Sequence, residues 1–173
     1  LDQFLIRAEA LLARLESILP PAVATPDWNA GIAFRWRKSS GKDGRGYLQP
    51  VAHLSPIALT DLHNIGPQKQ QIEQNTRQFV EGVPANNVLL TGARGTGKSS
   101  LIKACLNQFA DRGLRLIEVD KDDLGDLADI VDLVSGRPER FIIFCDDLSF
   151  EEGEGGYKAL KVALDGSIST QSD

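Results

Sequence analysis

A glycine-rich loop between a short apolar run and an apolar-faced helix pattern constrains this chain more than any other feature. Residues 89–105 read LLTGARGTGKSSLIKAC, and the part from Gly92 to Ser99 fits G-x-x-x-x-G-K-[ST] in full. Glycines allow backbone conformations that a Cβ bars, so successive N–H groups can point into one concavity. Because that concavity would lie at a helix N-terminus, where unpaired N–H groups and the helix dipole favour anions, the pattern predicts a loop that holds phosphate groups.

The residue types in the loop have separate predicted roles. The Lys98 ammonium is expected between the β- and γ-phosphates of a nucleotide, and the Ser99 hydroxyl is expected to ligate Mg²⁺. Arg94 would either contact a phosphate or cover the mouth of the site. The alternative interpretation is a glycine-rich turn that only caps a helix. The residues predicted to contact ATP or ADP in this segment are Gly92, Ala93, Arg94, Gly95, Thr96, Gly97, Lys98, Ser99 and Ser100.

A second candidate segment, RFIIFCDD at residues 140–147, has the pattern of a buried strand that ends in two acids. An acid at the C-terminal edge of a parallel sheet lies where α/β folds bind ligands. Asp146 is therefore predicted to hold Mg²⁺ through water, since Mg²⁺ keeps most of its hydration shell. Asp147 is predicted to orient or deprotonate an attacking water, which makes Lys98 and Asp147 the candidate catalytic residues. For the two acids by themselves, a solvated strand end is an equally good interpretation.

Hydrophobic periodicity predicts the elements of the first half of the chain. Apolar residues recur at helical spacing over residues 2–19, and two prolines end that helix. IAFRWRKS (32–39) and RGYLQPVA (45–52) flank a polar turn and predict a β-hairpin. A polar helix is expected over residues 68–81, entered through Gly66 and Pro67, since a proline is tolerated at the start of a helix.

From residue 87 the pattern alternates between short buried strands and amphipathic helices. Strands are predicted at 87–91, 114–120 and 140–147, and helices at 98–110 and 126–135. The first of these helices is expected to turn its apolar side inward, and the residues on that side are Leu101, Ile102, Cys105, Leu106 and Phe109. Such an alternation implies an α/β fold in which helices cover a parallel sheet.

Composition excludes several classes of protein. The chain has 173 residues and a net charge of −5, and this acidic balance argues against broad nucleic-acid binding. Cys105 and Cys145 lie in apolar runs and are expected to be buried free thiols in a reducing compartment. No apolar run approaches transmembrane length and no signal-peptide pattern opens the chain, so a cytoplasmic protein without a membrane partner is expected. Because the sequence begins at Leu1 and contains no Met, we expect it to be a piece of a longer protein.

The two motifs resemble those of a known superfamily. GARGTGKS is similar to Walker A, and FIIFCDD to Walker B, of the AAA+ branch of P-loop ATPases. LTDLHNIGPQKQQIEQ resembles the AAA+ segment that passes the adenine before the first helix. Together with FRWRKS, RGYLQPV and FCDDLSFEEGEGGYKALK, these stretches resemble an uncharacterised bacterial family of AAA+-type ATPases of unknown function, over much of residues 32–165.

The resemblance implies a three-layer P-loop NTPase core, AAA+-like, over residues 57–173, preceded by an N-terminal helix, linker and β-hairpin extension over 1–56. It places Leu62 and Ile65 near the adenine, and it implies a homo-oligomer that assembles through the core and acts on an unidentified protein client. It also implies two more strands, a polar sensor residue, an arginine finger and a helical lid downstream. The C-terminal part of the core and the lid are therefore expected to be missing from this sequence.

The second acid departs from the usual AAA+ pattern. Walker B there ends in Asp-Glu, with the Glu polarising water, whereas this chain has Asp147, which is one methylene shorter. Asp-Asp followed by Leu, as in this chain, also occurs in bacterial helicase loaders and transposition helper ATPases.

The sequence leaves a main function and two alternatives. The main expectation is a Mg²⁺-dependent ATPase that couples hydrolysis to remodelling or loading of a partner. The first alternative is a nucleotide-dependent binding or switch module, resembling a helicase loader, with little or no hydrolysis. The second is a small-molecule kinase, which would need an acceptor pocket of which the sequence gives no sign. ATP is favoured over GTP because the chain contains no N-K-x-D pattern.

Three other features of the sequence are less specific. The hairpin is basic with interleaved aromatics, which suits a nucleic acid or an acidic partner, although a solvated hairpin is favoured. The acidic segment 150–156 is either a loop that moves with the nucleotide or an ordinary surface loop. His53 and His63 lack companions at metal-ligand spacing, so no zinc site is predicted. The hairpin residues concerned are Arg35, Trp36, Arg37, Lys38, Lys42, Arg45 and Tyr47.

Overall fold

The computed structural model describes residues 26–39, 46–148 and 160–161, together with Arg7. These residues form a mixed, mostly parallel four-stranded sheet and three α-helices, which confirms the predicted α/β class. The strands are β1 Ala33–Lys38, β2 Gly46–Pro50, β3 Leu114–Glu118 and β4 Arg140–Phe144. The helices are α1 Gly66–Val80, α2 Lys98–Phe109 and α3 Leu127–Val134. Short 3-10 helices lie at Trp28–Ala30, Leu59–Asp61, Ala110–Arg112 and Lys121–Asp126.

The sheet has the strand order β2-β1-β3-β4. β1 pairs antiparallel with β2, β1 pairs parallel with β3, and β3 pairs parallel with β4. The predicted hairpin is confirmed, and the parallel pairing of β3 with β4 agrees with the predicted parallel sheet. The parallel pairing of β1 with β3, which the sequence did not predict, makes the hairpin part of the same sheet. The division of the chain at residue 57 stays a prediction.

Side chains alternate between the two faces of the sheet, because successive residues of a strand point to opposite sides. On one face the strands pack against α3 and the turn before it. The buried residues of this cluster are Trp28, Phe34, Trp36, Leu48, Ile117, Val119, Leu124, Leu127 and Ile130. On the other face the strands pack against α2, and the buried residues are Ala33, Leu106, Phe109, Leu114 and Leu116. The sheet is therefore the middle of three layers.

The helices follow the predicted positions closely. α1 begins at Gly66, and Pro67 lies in its first turn, where no backbone N–H is needed. α2 begins at Lys98, directly after Gly97. The predicted inward side of α2 is confirmed: Ile102 is partly buried, and the other four of its predicted residues are at most 3% exposed. Full burial of each large apolar side chain contributes roughly 1.5–3 kcal/mol relative to exposure.

The predicted buried strand at residues 87–91 is wrong. No residue of this segment is in a strand, and Val88 and Leu89 are 46% and 75% exposed. An extended segment becomes a strand only when a neighbouring backbone pairs with its N–H and C=O groups. No described strand pairs with this segment, since β4 pairs with β3 alone and is the edge of the described sheet. Leu90 is the residue of this run that packs against an apolar cluster.

Two predicted features lie outside the described residues. They are the helix over 2–19, of which only Arg7 is described, and the acidic segment 150–156. None of the described helices is both long and apolar enough to cross a membrane.

Gly46 provides a test of the packing in the hairpin. A Cβ at this position would lie 1.7 Å from the Trp36 ring. Trp36 is 3% exposed and donates from Nε1 to Asp126 at 2.9 Å, so the ring cannot move aside without losing that hydrogen bond. Gly46→Ala is expected to lower the free energy of unfolding by about 1–3 kcal/mol, measured by urea denaturation.

A matched control is Gly125→Ala, where no atom lies within 4 Å of an added Cβ. This variant is expected to stay within about 0.5 kcal/mol of the parent protein. Equal stability of the two variants would contradict the close packing of Trp36 over Gly46.

Candidate functional site

The loop before α2 has the backbone that its glycines predict. Gly92, Gly95 and Gly97 have φ angles of 143°, 82° and 86°. Side chains with a Cβ rarely adopt this left-handed region, so glycine is required by conformation here. The Thr96 hydroxyl donates to the Ala93 carbonyl oxygen at 2.8 Å and closes the turn from within.

Lys98 places its ammonium against the start of the same loop. Its Nζ donates to the carbonyl oxygens of Gly92 and Ala93, both at 2.9 Å. No side chain caps the N-terminus of α2 at Gly97. The positive charge and the uncapped N–H groups of the helix therefore lie at one end of α2, an arrangement that attracts anions.

A short hydrogen bond joins the two candidate segments. The Ser99 hydroxyl donates to Oδ2 of Asp146 at 2.6 Å, across 47 positions of sequence. Oδ1 of Asp146 accepts from the backbone N–H of Asp147 at 3.0 Å. The structure thus brings the predicted metal ligands Ser99 and Asp146 together, because α2 starts and β4 ends at the same edge of the sheet.

Asp147 has a strained backbone. Its φ angle is 54°, and it is one of two residues other than glycine with positive φ in the described chain. Asp adopts this conformation at lower cost than most residues. Strain of this kind clusters at functional sites. Among the described residues, the Asp147 carboxylate has no hydrogen bond or ion pair.

Leu62 and Ile65, predicted to lie near an adenine, pack close to the loop. Both are partly buried in an apolar cluster that includes Leu90, which precedes the loop, and Leu101, which follows it. Lys69 fixes this segment by donating to the carbonyl oxygens of Leu59 and Leu62 at 3.0 and 3.3 Å. The placement agrees with a site beside the loop, and contact with a base stays a prediction.

Both cysteines are free thiols, as predicted. Cys105 is buried, whereas Cys145 is only partly buried. Burial raises the pKa of the Cys105 thiol to about 11. Burial, with a smaller contribution from Asp120 and Asp146, raises the pKa of Cys145 to about 11 as well. Both thiols are therefore neutral near pH 7, and Cys145 is a poor nucleophile although it adjoins the site.

The described residues contain no group of three or more His, Cys, Asp or Glu that could hold a metal ion. A fully protein-coordinated metal is therefore not supported in this part of the chain. Mg²⁺ bound together with phosphates needs only one or two protein ligands and water. The oxygens of Ser99 and Asp146 meet that smaller requirement.

Of the three basic hairpin residues that the structure describes, Arg35 and Lys38 are paired with acids and Arg37 has no ion pair among the described residues. Arg35 contacts Glu118 at 2.7 Å, and Lys38 contacts Asp123 and Asp126 at 3.0 and 3.1 Å. The hydrogen bonds to these two aspartates raise the pKa of Lys38. Trp36 is buried, so its ring is not available to stack on a base. Tyr47 is 42% exposed, and Lys42 and Arg45 lie outside the described residues.

A crevice of about 140 Å³ beside Asp146 was not anticipated from the sequence. Its polar lining comes from residues far apart in the chain, which no short motif connects. One part of the lining could have been predicted from the sequence. Lys103 follows Ser99 by one helical turn and so lies on the same face of α2. The polar lining residues are Arg35, His53, Ser55, Lys103, Glu118 and Asp146.

The sequence model of one protein family, described as a protein of unknown function (DUF815), matches residues 29–173 of the chain. The match covers the hairpin, the loop and the two acids. No curated protein and no solved structure matches the chain.

The strain at Asp147 can be measured separately from any chemistry. Asp147→Gly removes the Cβ from a left-handed backbone, whereas Asp147→Ala keeps it and loses the side chain that tolerates this conformation. We expect the Ala variant to be less stable to urea than the Gly variant by about 1 kcal/mol.

Asp132 in α3 is the matched control. At an exposed helical position Ala is more stable than Gly by about 1 kcal/mol, so the order of the two variants should reverse. If the Ala variant were more stable than the Gly variant at both positions, the backbone of Asp147 would not be strained.

Proposed function

The chain belongs to the DUF815 family, and we propose that it binds Mg²⁺ and ATP at the glycine loop and hydrolyses the γ-phosphate as an AAA+-type P-loop ATPase. The observation that carries the proposal is the 2.6 Å hydrogen bond between Ser99 and Asp146. It supports the proposal because the two side chains predicted to serve one metal ion are in direct contact.

The pair of oxygens fits Mg²⁺ in chemistry and spacing. Hydroxyl and carboxylate oxygens are hard ligands of the kind that Mg²⁺ takes. Adjacent ligands in an octahedron at about 2.0–2.1 Å from the metal are roughly 2.9 Å apart. Ser99 Oγ and Asp146 Oδ2 are 2.6 Å apart. If these two oxygens moved a few tenths of an ångström apart, both could bind the ion directly. If they moved further apart, Asp146 could bind it through a water molecule. Bound Mg²⁺ would neutralise charge on the phosphates.

The chain's own groups would bind the triphosphate and activate the attacking water. Lys98 would exchange its two carbonyl contacts for phosphate oxygens, and the N–H groups of the loop would hold the triphosphate. Asp147, whose carboxylate is unpaired among the described residues, would accept a proton from the attacking water. Leu62 and Ile65 would contact the base.

Assembly into a homo-oligomer that acts on a protein client is part of the proposal. AAA+ resemblance predicts two further strands. β4 is an edge of the described sheet, which supports further strand pairing beside it. An arginine from a neighbouring copy would complete the site, and its absence would lower the rate by roughly 10³–10⁵.

The pairing of Arg35 and Lys38 with acids gives nucleic acid little support as a partner.

A switch module with little hydrolysis is the second candidate. It is favoured by Asp147, whose carboxylate is one methylene shorter than the usual glutamate and is attached to a left-handed backbone. Such a protein would hold ATP to order a surface that faces a partner.

Binding is tested with a fluorescent ATP analogue. Lys98→Gln is expected to weaken binding at least tenfold because the variant loses the positive charge in the loop. Asp146→Asn is expected to remove the effect of Mg²⁺ on affinity without weakening metal-free binding, because the amide is a poorer ligand for Mg²⁺ and no longer repels the phosphates.

Lys161→Gln, an exposed lysine outside the loop, is the control with the same change in charge, and it should bind like the parent protein. Equal affinity of the parent chain and Lys98→Gln would refute the nucleotide site.

Hydrolysis separates the two candidates. Steady-state release of phosphate from ATP by the parent chain should exceed that of Asp147→Asn at least tenfold, because the amide cannot accept a proton. Asn tolerates the left-handed backbone, so the fold is expected to survive the change. Equal, near-zero rates with intact ATP binding would reject the ATPase and favour the switch module. Chain concentration should be varied, since a site shared between copies would raise the rate per chain.

A further inference from the structure

The crevice beside Asp146 lies at the carboxyl ends of β3 and β4 and beside the first half of β1, where Ala33 and Arg35 line it. It opens between α2 and residues 51–55 and has a volume of about 140 Å³. Its apolar walls include Ala33, Leu106, Leu116 and Phe144. Crevices at this edge of a parallel sheet are where α/β folds hold ligands.

Strand periodicity explains why polar groups gather there. Ala33 and Leu116 are partners in the parallel register of β1 and β3, and both face α2. Two residues further along each strand, Arg35 and Glu118 are partners on the same face. Phe144, the register partner of Glu118, is followed two residues later by Asp146. The face under α2 therefore changes from apolar to charged at its carboxyl edge.

The acids of the crevice are already satisfied. Oε2 of Glu118 accepts from Nε and Nη2 of Arg35 at 3.0 and 2.7 Å. Asp146 accepts from the Ser99 hydroxyl and from the N–H of Asp147. These contacts reduce the repulsion that either carboxylate would exert on an anion.

The basic side chains of the crevice have donors without a protein partner among the described residues, and Lys103 and His53 are exposed to solvent. Lys103 and His53 line it, and neither has a hydrogen bond or ion pair among the described residues. Arg35 has five N–H donors and uses only two of them on Glu118. The unmatched groups are thus hydrogen-bond donors, and at least two of them are cationic.

We propose that this crevice binds a small oxyanion, a phosphate or a carboxylate, through Lys103, His53 and the remaining N–H groups of Arg35. Size limits the choice of ligand. A protein cavity of about 150 Å³ holds one benzene molecule, so about 140 Å³ suits an ion of the size of orthophosphate or malonate better than a nucleoside.

The site is distinct from the glycine loop, although the two meet at Asp146. Lys103 lies one turn beyond Ser99 on α2, and none of the three proposed donors belongs to the loop. The inference goes beyond the proposed function and does not require it.

The experiment measures binding of orthophosphate and of malonate to the full chain by isothermal titration calorimetry. Lys98→Gln is used as the background, so that an anion held by the glycine loop does not contribute. In this background Lys103→Gln is expected to weaken binding at least tenfold, and His53→Asn several-fold. Tighter binding of orthophosphate identifies a phosphate site, and tighter binding of malonate identifies a carboxylate site.

The chain offers matched controls for both changes. Lys161→Gln removes the same charge, and His63→Asn makes the same substitution, at described positions that do not line the crevice. Neither control should change the affinity. Absence of binding by both anions, or equal weakening by Lys103→Gln and Lys161→Gln, would overturn the proposal.

The affinity of Lys103→Gln for the ATP analogue is also measured, and it should equal that of the parent chain. The oxyanion site and the nucleotide site are thus tested separately. If ATP does not bind the parent chain but orthophosphate binds through Lys103, the proposed ATPase fails and the oxyanion site stands. If ATP binds and neither anion does, the oxyanion site alone fails.

Discussion

The contact between Ser99 and Asp146 depends on the whole architecture of the described chain. Ser99 lies in the first turn of α2, and Asp146 follows β4, so the 2.6 Å hydrogen bond forms only if helix and strand reach the same edge of the sheet. The apolar packing of α2 on one face fixes the helix, and the parallel pairing of β3 with β4 fixes the strand. A different position of α2 on the sheet, or a different register between β3 and β4, would separate the two oxygens by several ångströms. The site is therefore a consequence of packing as much as of its motifs.

Local patterns predicted the elements well where local physics decides them. The glycines of the loop, the start of α2 at Lys98 and the inward side of that helix all follow from backbone sterics and helical periodicity. The segment 87–91 shows the limit of such reasoning. Its run of apolar residues fits a buried strand, but a strand also needs a hydrogen-bonded neighbour, and sequence does not reveal which backbone lies beside it. In the described chain none does, and Leu89 remains 75% exposed.

The candidate site was predictable in its motifs and unpredictable in its surroundings. Lys98, Ser99 and Asp146 belong to short patterns with a chemical reason for each residue. The pair of Arg35 and Glu118 spans 83 positions and belongs to no pattern, so only the fold brings it together. The same is true of the basic hairpin. Its sequence suggests an exposed cationic surface, yet Lys38 meets two aspartates and Trp36 is buried, because the turn before α3 packs against β1.

The insertion of β1 between β2 and β3 connects the hairpin to the candidate site. The side chains of Arg35 and Glu118 are 40% and 36% exposed, and an ion pair in such a position contributes only about 0–1 kcal/mol to stability. Its larger effect is electrostatic, since Arg35 neutralises a carboxylate that lines the same crevice as Asp146. A shift of β1 along β3 would expose the charge of Glu118 next to the place where phosphates are proposed to bind. The hairpin thus supplies the positive charge that balances Glu118 in this crevice.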